Sequence, residues 1–302
     1  MNLVIVGSVA LDTVETPFGK VVRALGGTAT FGSIAASYFS SPGIVGVVGG
    51  DFEQRHTNLL KRRGVDLEGL QIVPDRKTFH WSGYYDGDMN RAITKATHLN
   101  VFKTFRPIIP PEYRRAPFLF LGNIQPDLQL DVLRQMKKPK VVLCDTMNYW
   151  IESQPARLER VFRRSDVICV NDAEARQFTG CESLPKAARN LLKLGPRRVI
   201  IKLGGYGVQM YGKDSFFALP ALPLTKVKDP TGAGDTFAGG FIGSLVQADR
   251  LDDHAYRKAL AIGTVMASFC VQDFSCRATA NLTRPAIRQR LASLRALTCF
   301  RV

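Results

Sequence analysis

The chain has 302 residues, 45% of them hydrophobic, with 41 Lys and Arg against 26 Asp and Glu for a formal net charge of +15. That length can bury one large core. No apolar run approaches the roughly 18 residues of a membrane-spanning helix, so no membrane partner is expected. The basic residues fall in short scattered groups such as Lys61-Arg62-Arg63 and Arg197-Arg198, without interleaved aromatics. A nucleic-acid partner is therefore not expected, and attraction of a polyanionic small molecule is sufficient cause for the charge.

In chain order, Met1-Asn2-Leu3-Val4-Ile5-Val6-Gly7 reads as a short buried strand and lacks the charged start and long apolar core of a signal peptide, so a cytoplasmic protein is expected. Apolar runs predict further strands at 43–48, 118–121, 140–144, 166–170, 198–203 and 208–211. Helical spacing predicts helices over 30–38, 53–63, 127–136, 155–163, 172–178, 185–194, 235–247 and 253–269. Such alternation predicts an α/β fold in three layers, a mostly parallel sheet with helices on both faces. Ligands of such sheets sit beyond the carboxyl ends of the strands, where Ser8 to Asp12, Asn123, Asp145 and Asn171 fall.

Two segments break the alternation. Residues 13–25 carry a hairpin pattern around Thr16-Pro17-Phe18-Gly19, and residues 71–102 are rich in Thr and aromatics, with Asp86-Gly87-Asp88 as a turn. We read them as insertions in a single domain spanning 1–302, forming either a small β-sheet lid over the ligand end or an ordinary surface hairpin. Residues 284–302 read as a basic amphipathic helix and a short tail.

Six cysteines (Cys144, Cys169, Cys181, Cys270, Cys276 and Cys299) include no CxxC pair, and Cys144 and Cys169 lie in apolar runs, as buried reduced thiols do. The four histidines show no metal-ligand spacing.

Asp229-Pro230-Thr231-Gly232-Ala233-Gly234-Asp235 runs from a small, flexible loop into the helical pattern carrying Phe237, Phe241 and Leu245. Free amides at a helix N-terminus behind small residues make an anion site. A carboxylate there is unfavourable for simple anion binding, unless Asp235 takes a proton from a hydroxyl while the amides of Gly232, Ala233 and Gly234 hold a transferring phosphoryl group. The simpler alternative is a first-turn Asp favouring the helix dipole. No Gly-Lys-Ser/Thr follows, so this is not a Walker A loop.

Other motifs carry two readings each. Asn171-Asp172-Ala173-Glu174 has the spacing of a capping box and also places two oxygen donors on one face. Lys202-Leu203-Gly204-Gly205-Tyr206-Gly207 is a strand entering a glycine turn. Gly26-Gly27-Thr28-Ala29-Thr30-Phe31 opens a helix, with Phe31 either core or a stacking ring. Cys144-Asp145-Thr146-Met147-Asn148 ends a strand, as does Gly122-Asn123.

In that order these motifs resemble the ribokinase-like (PfkB) carbohydrate kinase family over nearly the whole chain. The resemblance implies an anion hole at Gly232 to Gly234 with Asp235 as base. It implies acceptor contacts from Asp12, Gly26, Gly27, Thr28 and Phe31, with Asn123 and Asp145 as further substrate-side candidates. Phe31 stands where many members carry Asn. The nucleotide side would be Asn171, Lys202 (where many members have Thr), Gly204 and Gly207, and Glu174 would organise Mg²⁺ through water. ATP, Mg²⁺ and a monovalent cation are the implied cofactors, and a homodimer through the lid the implied assembly.

The function expected is ATP-dependent phosphorylation of a hydroxyl of a sugar or related polyol, with a nucleoside or inositol as alternative acceptor; Phe31, Trp81 and Tyr84 are candidates to stack a base. An inactive binding or scaffold protein on the same fold is the alternative of another class. The intact Gly-Ala-Gly-Asp run speaks against it, since a scaffold needs no base.

Overall fold

The computed structural model describes residues 1–87, 89 and 92–299. Among these the strands, in chain order, are β1 (Leu3–Val6), β2 (Ala10–Thr16), β3 (Gly19–Gly26), β4 (Pro42–Gly49), β5 (Asp66–Val73), β6 (His80–Tyr85), β7 (Ala92–His98), β8 (Phe118–Leu121), β9 (Val141–Asp145), β10 (Val167–Asn171), β11 (Arg198–Lys202), β12 (Val208–Tyr211) and β13 (Phe216–Leu219). The helices are α1 (Thr28–Ala36), α2 (Gln54–Arg62), α3 (Pro126–Gln135), α4 (Asn148–Ser153), α5 (Pro155–Phe162), α6 (Asp172–Thr179), α7 (Leu184–Leu192), α8 (Ala233–Ala248), α9 (Asp253–Cys270), α10 (Arg277–Ala280) and α11 (Arg284–Thr298).

Nine strands form one sheet in the order β13-β12-β11-β10-β9-β8-β1-β4-β5. It is parallel from β5 to β11, and β12 and β13 add an antiparallel edge. Its central strands are apolar on both faces, and the pleat sends alternate residues to two separate cores. Leu3, Ile5, Phe120, Leu143 and Ile200 face α1, α8 and α9. Val4, Val6, Leu121, Val142 and Ile201 face α3, α5, α6 and α7. The three-layer α/β architecture expected from the alternation is the one found.

The remaining strands form a small separate sheet in the order β3-β2-β6-β7. The hairpin pair β2–β3 and the pair β6–β7 are antiparallel, and β6 runs parallel to β2. Val14 pairs with Gly83, so Trp81, Gly83 and Tyr85 share the face of Asp12 and Val14. Val14 and Val21, with Trp81 and Tyr85, cover Phe274. Tyr84 lies on the opposite face beneath the Lys95 ammonium, 4.8 Å from its ring centre. Asp51 ties the small sheet to the main one: its Oδ1 accepts from the Thr78 amide and hydroxyl, both at 2.7 Å, and its Oδ2 from Arg23 at 2.6 Å.

The second insertion starts later than its composition suggested. Residues 71–73 belong to β5 in the main sheet, and Asn100–Thr104 form a 3-10 turn rather than strand. The cause is that β5 is an edge strand: Ile72 is 65% exposed and Asp66, Glu68 and Gln71 interrupt its apolar pattern. Of the expected Asp86-Gly87-Asp88 turn, Asp88 lies outside the described residues, as do residues 300–302 of the expected tail.

Candidate active site

Asp235 stands in the first turn of α8, behind the N-cap Gly232 at φ +76°. That backbone conformation suits glycine, and a Cβ on Gly232 would come within 2.4 Å of the Phe31 ring. The Ala233 amide is engaged by the Pro230 carbonyl at 3.1 Å, whereas the amides of Gly232 and Gly234 find no partner among the described residues. Burial pushes the Asp235 carboxyl up to about 7, helped by the Asp145 carboxylate and opposed by the Thr28 hydroxyl and the Lys202 ammonium. A group poised there accepts a proton near neutral pH.

Three neighbouring strands end beside it. Asp145 closes β9, Asn171 closes β10 and Lys202 closes β11, which is where a parallel sheet presents its ligand end. Lys202 Nζ lies 3.2 Å from Asp145 Oδ1, with both side chains largely buried. A Cβ on Gly234 would sit 3.1 Å from the same Nζ, so the ammonium lies over the Gly234 backbone. Burial disfavours that charge, but Asp145, Cys169, Glu174 and Asp235 overcome it and hold the lysine above its ordinary value.

Asn171 and Glu174 form the complete capping box: Asn171 Oδ1 accepts from the Glu174 amide, and Glu174 Oε2 from the Asn171 amide, both at 2.8 Å. Burial raises the Glu174 carboxyl, with Lys202 easing and Asp145 adding to the shift.

Asp12 on β2 is buried against Gly26 on β3. A Cβ at Gly26 would lie 2.0 Å from Asp12 Oδ2, so only glycine lets the hairpin close on this carboxylate. Burial pushes Asp12 up to about 7, against the pull of the Trp81 backbone and with help from Asp229 and Asp235. Gly27 and Thr28 begin α1 with the Ser8 oxygens accepting from the amides of Thr28 and Ala29, at 3.2 and 2.9 Å. Phe31, 2% exposed, belongs to the core and lines a small cavity with Asp12, Asp229, Thr231 and Ser275.

Not every candidate residue joins this cluster. Asn123 accepts from the Trp150 indole at 3.0 Å. Gly204 and Gly207 form a turn after β11, the latter at φ +111°, with Tyr206 between them almost fully exposed. Two residues of the site neighbourhood were given no role by the sequence reading. Gln129, 1% exposed, donates to the carbonyls of Gly122 and Asp145 at 2.9 and 3.2 Å and so joins the ends of β8 and β9. The signal was available, since Gln129 is the polar residue on the buried stretch of α3. Asp229, 1% exposed, accepts from the amides of Thr231 and Ser275 at 2.9 and 3.3 Å and shapes the loop before the glycines.

Residues 3–283 match the family profile of the pfkB family carbohydrate kinases. The cytidine kinase of Thermococcus kodakarensis is 32% identical over 84% of this chain and 91% of its own length. Among solved structures, the Burkholderia thailandensis nucleoside kinase in complex with ADP-inosine superposes with a TM-score of 0.79 at 20% identity, covering 97% of this chain and 95% of its own. A putative ribokinase II from E. coli in complex with ATP and Mg²⁺ gives 0.80 at 16% identity, over 97% and 99% of the two chains. The chain belongs to the pfkB carbohydrate kinase family. It is a phosphotransferase with an alcohol acceptor. No helix among the described residues is long and apolar enough to cross a membrane.

Proposed function

We propose that the acceptor is a nucleoside, phosphorylated on a hydroxyl of its ribose with Asp235 as general base. The observation that carries the acceptor is the inner face of the small sheet, where Trp81 and Asp12 lie on one side. A carboxylate accepts hydrogen bonds from sugar hydroxyls, and an indole offers a plane on which a base stacks. Trp81 Nε1 donates to Thr94 at 3.1 Å, which fixes the ring. Similarity to a cytidine kinase supports the same class. Phe31 is core packing in this reading, and Tyr84 faces away.

In the reaction the acceptor oxygen forms a bond to the γ-phosphorus as the bond to the bridging oxygen breaks, releasing ADP. The hydroxyl proton passes to Asp235, while the Gly232 and Gly234 amides meet charge growing on the transferring oxygens. Asp12, Gly26, Gly27 and Thr28 hold the acceptor side. Lys202, Gly204, Gly207 and Asn171 hold the nucleotide.

Mg²⁺ suits this site through the chemistry of its donors: Glu174 is a buried oxygen donor in a cluster of carboxylates whose mutual repulsion a cation relieves. Among the described residues no three His, Cys, Asp or Glu side chains converge as a metal site, so Glu174 would hold the ion through water and phosphate. Bound there, Mg²⁺ supplies charge neutralisation of the phosphates. A monovalent cation is assigned to the loop of Asp229, a buried carboxylate with no Lys or Arg within 4 Å among the described residues. A homodimer through the small sheet would cover Phe18 and Val22, both exposed on its hairpin.

The test is ATP consumption with Mg²⁺ against cytidine, uridine, inosine, adenosine, ribose, fructose and myo-inositol, with Asp235→Asn alongside. Turnover of a nucleoside that is lost in the variant is the expected result. Turnover confined to free sugars or inositol would overturn the acceptor while leaving the chemistry intact.

A further inference from the structure

We propose that Lys202 is a catalytic residue that grips the transferring phosphoryl group, and that Asp145 is the positioning residue that parks it beside the anion hole. The proposal rests on the reading of Gly232 to Gly234 as that hole. It reassigns Asp145, which the sequence alone put on the acceptor side.

The geometry is specific. Lys202 Nζ is 3.2 Å from Asp145 Oδ1, and its side chain is 18% exposed against 6% for the carboxylate. The same nitrogen lies 3.1 Å from where a Gly234 side chain would begin, so nothing stands between the ammonium and the backbone that receives the phosphoryl group. Gln129 holds the Asp145 carbonyl from behind and ties it to Gly122, fixing the carboxylate at the strand end.

A purely structural pair is a poor account of this arrangement. Burying two opposite charges gains little stability over an apolar pair of the same volume. Here Asp145 lies 3.2 Å from the ammonium, and the charges of Glu174 and Asp235 also favour it, at the mouth of an anion site. An incoming triphosphate brings more negative charge to three carboxylates, and the lysine is the group that offsets it. Its three N–H donors on a flexible stem let it turn from Asp145 Oδ1 to a phosphoryl oxygen, exchanging partners with no covalent step.

The contact is to the transferring group, so it separates ATP from ADP. Calorimetric titration of the full chain with ATP and with ADP, both with Mg²⁺, is compared for wild type, Lys202→Met, Lys202→Arg, Asp145→Asn and the Lys202→Met/Asp145→Asn double variant. Lys202→Met is expected to weaken ATP by about 10- to 100-fold, the loss of one charge-assisted contact, with ADP within about threefold of wild type. Lys202→Arg recovers part of the ATP preference, and Asp145→Asn adds nothing to it in the Lys202→Met background. If Lys202→Met fails to fold with Asp145 left unpaired, the double variant removes both charges and gives the same comparison. Equal losses for the two nucleotides, or none, overturn the proposal. With the acceptor of highest turnover, kcat is expected to fall more than the acceptor KM rises. Asp235→Asn keeps the two readings apart: a dead Asp235→Asn beside a Lys202→Met of normal ATP preference rejects the lysine alone. A normal turnover in Asp235→Asn rejects the base and leaves the nucleotide comparison standing.

Discussion

Phe31 lies flat against Gly232: the aromatic ring fills the space where any side chain at the N-cap of α8 would have to go, at 2.4 Å. The first quarter of the chain thus sets the shape of a loop formed by the last third. Gly232→Ala is expected to be destabilised by about 1–2 kcal/mol from its left-handed backbone alone, with a further loss from the clash. Gly232→Ala/Phe31→Ala relieves the clash and not the backbone strain, so its thermal midpoint should lie closer to that of Phe31→Ala than single effects add up to. Thermal melts of the three variants check this; additive losses would mean that the ring moves aside freely.

Asp235→Asn is expected to lower kcat by a factor of roughly 10² to 10⁴, the usual range for a positioned base, while MgATP still binds. The base works ionised, and burial places its carboxyl at about 7. The wild-type kcat/KM should therefore fall as the pH drops below about 7 and level off above it. Since Lys202 opposes the shift, Lys202→Met should move that limb to higher pH. A rate flat from pH 5 to 8 in the wild type would remove Asp235 from this role.

Asp12 carries a stability signature of its own. Its carboxyl titrates near 3.8 in the unfolded chain and at about 7 when buried, so the folded state binds more protons between those values. Stability from this group is therefore greatest at low pH and falls as the pH rises through that window. Asp12→Asn, which buries no charge, should melt above the wild type at pH 8 and lose that advantage toward pH 4. Acceptor turnover should fall at both.

Asp51 anchors the small sheet by accepting from the Thr78 amide and hydroxyl and from Arg23. Thr78 is buried, so Asp51→Ala strands its amide and should cost about 1–3 kcal/mol. The same change loosens the sheet that carries Asp12 and Trp81. The acceptor KM should rise while the affinity for ADP stays put, since no nucleotide residue hangs from this anchor; calorimetry and steady-state rates separate the two.

The central strands and long helices were legible because burial on both faces writes continuous apolar runs, as in Leu3–Val6 and Phe118–Leu121. The positions of Asp235, Asn171 and Glu174 were legible because local backbone geometry sets them, a helix N-terminus and its cap. β5 was hidden by the polar residues of a sheet edge, and α4 and α10 by being too short to show a period. The partnership of Asp145 with Lys202 spans 57 positions and depends on the order of strands in the sheet, which no local pattern encodes. Strand alternation also decided the aromatics: Trp81 and Tyr84 look alike in sequence, and three positions apart on a strand means opposite faces.

The packing of α1 on α8 also bears on how the enzyme is made. Phe31 and Ile34 share one core with Phe237 and Phe241. During synthesis α1 emerges long before α8, by roughly 10–40 seconds at ordinary rates of translation. For that interval the face it turns to α8 has no cover, and Asp235 has not yet been made. Any chain interrupted before residue 233 would be inert and sticky at once, a natural client for a chaperone rather than a slow kinase.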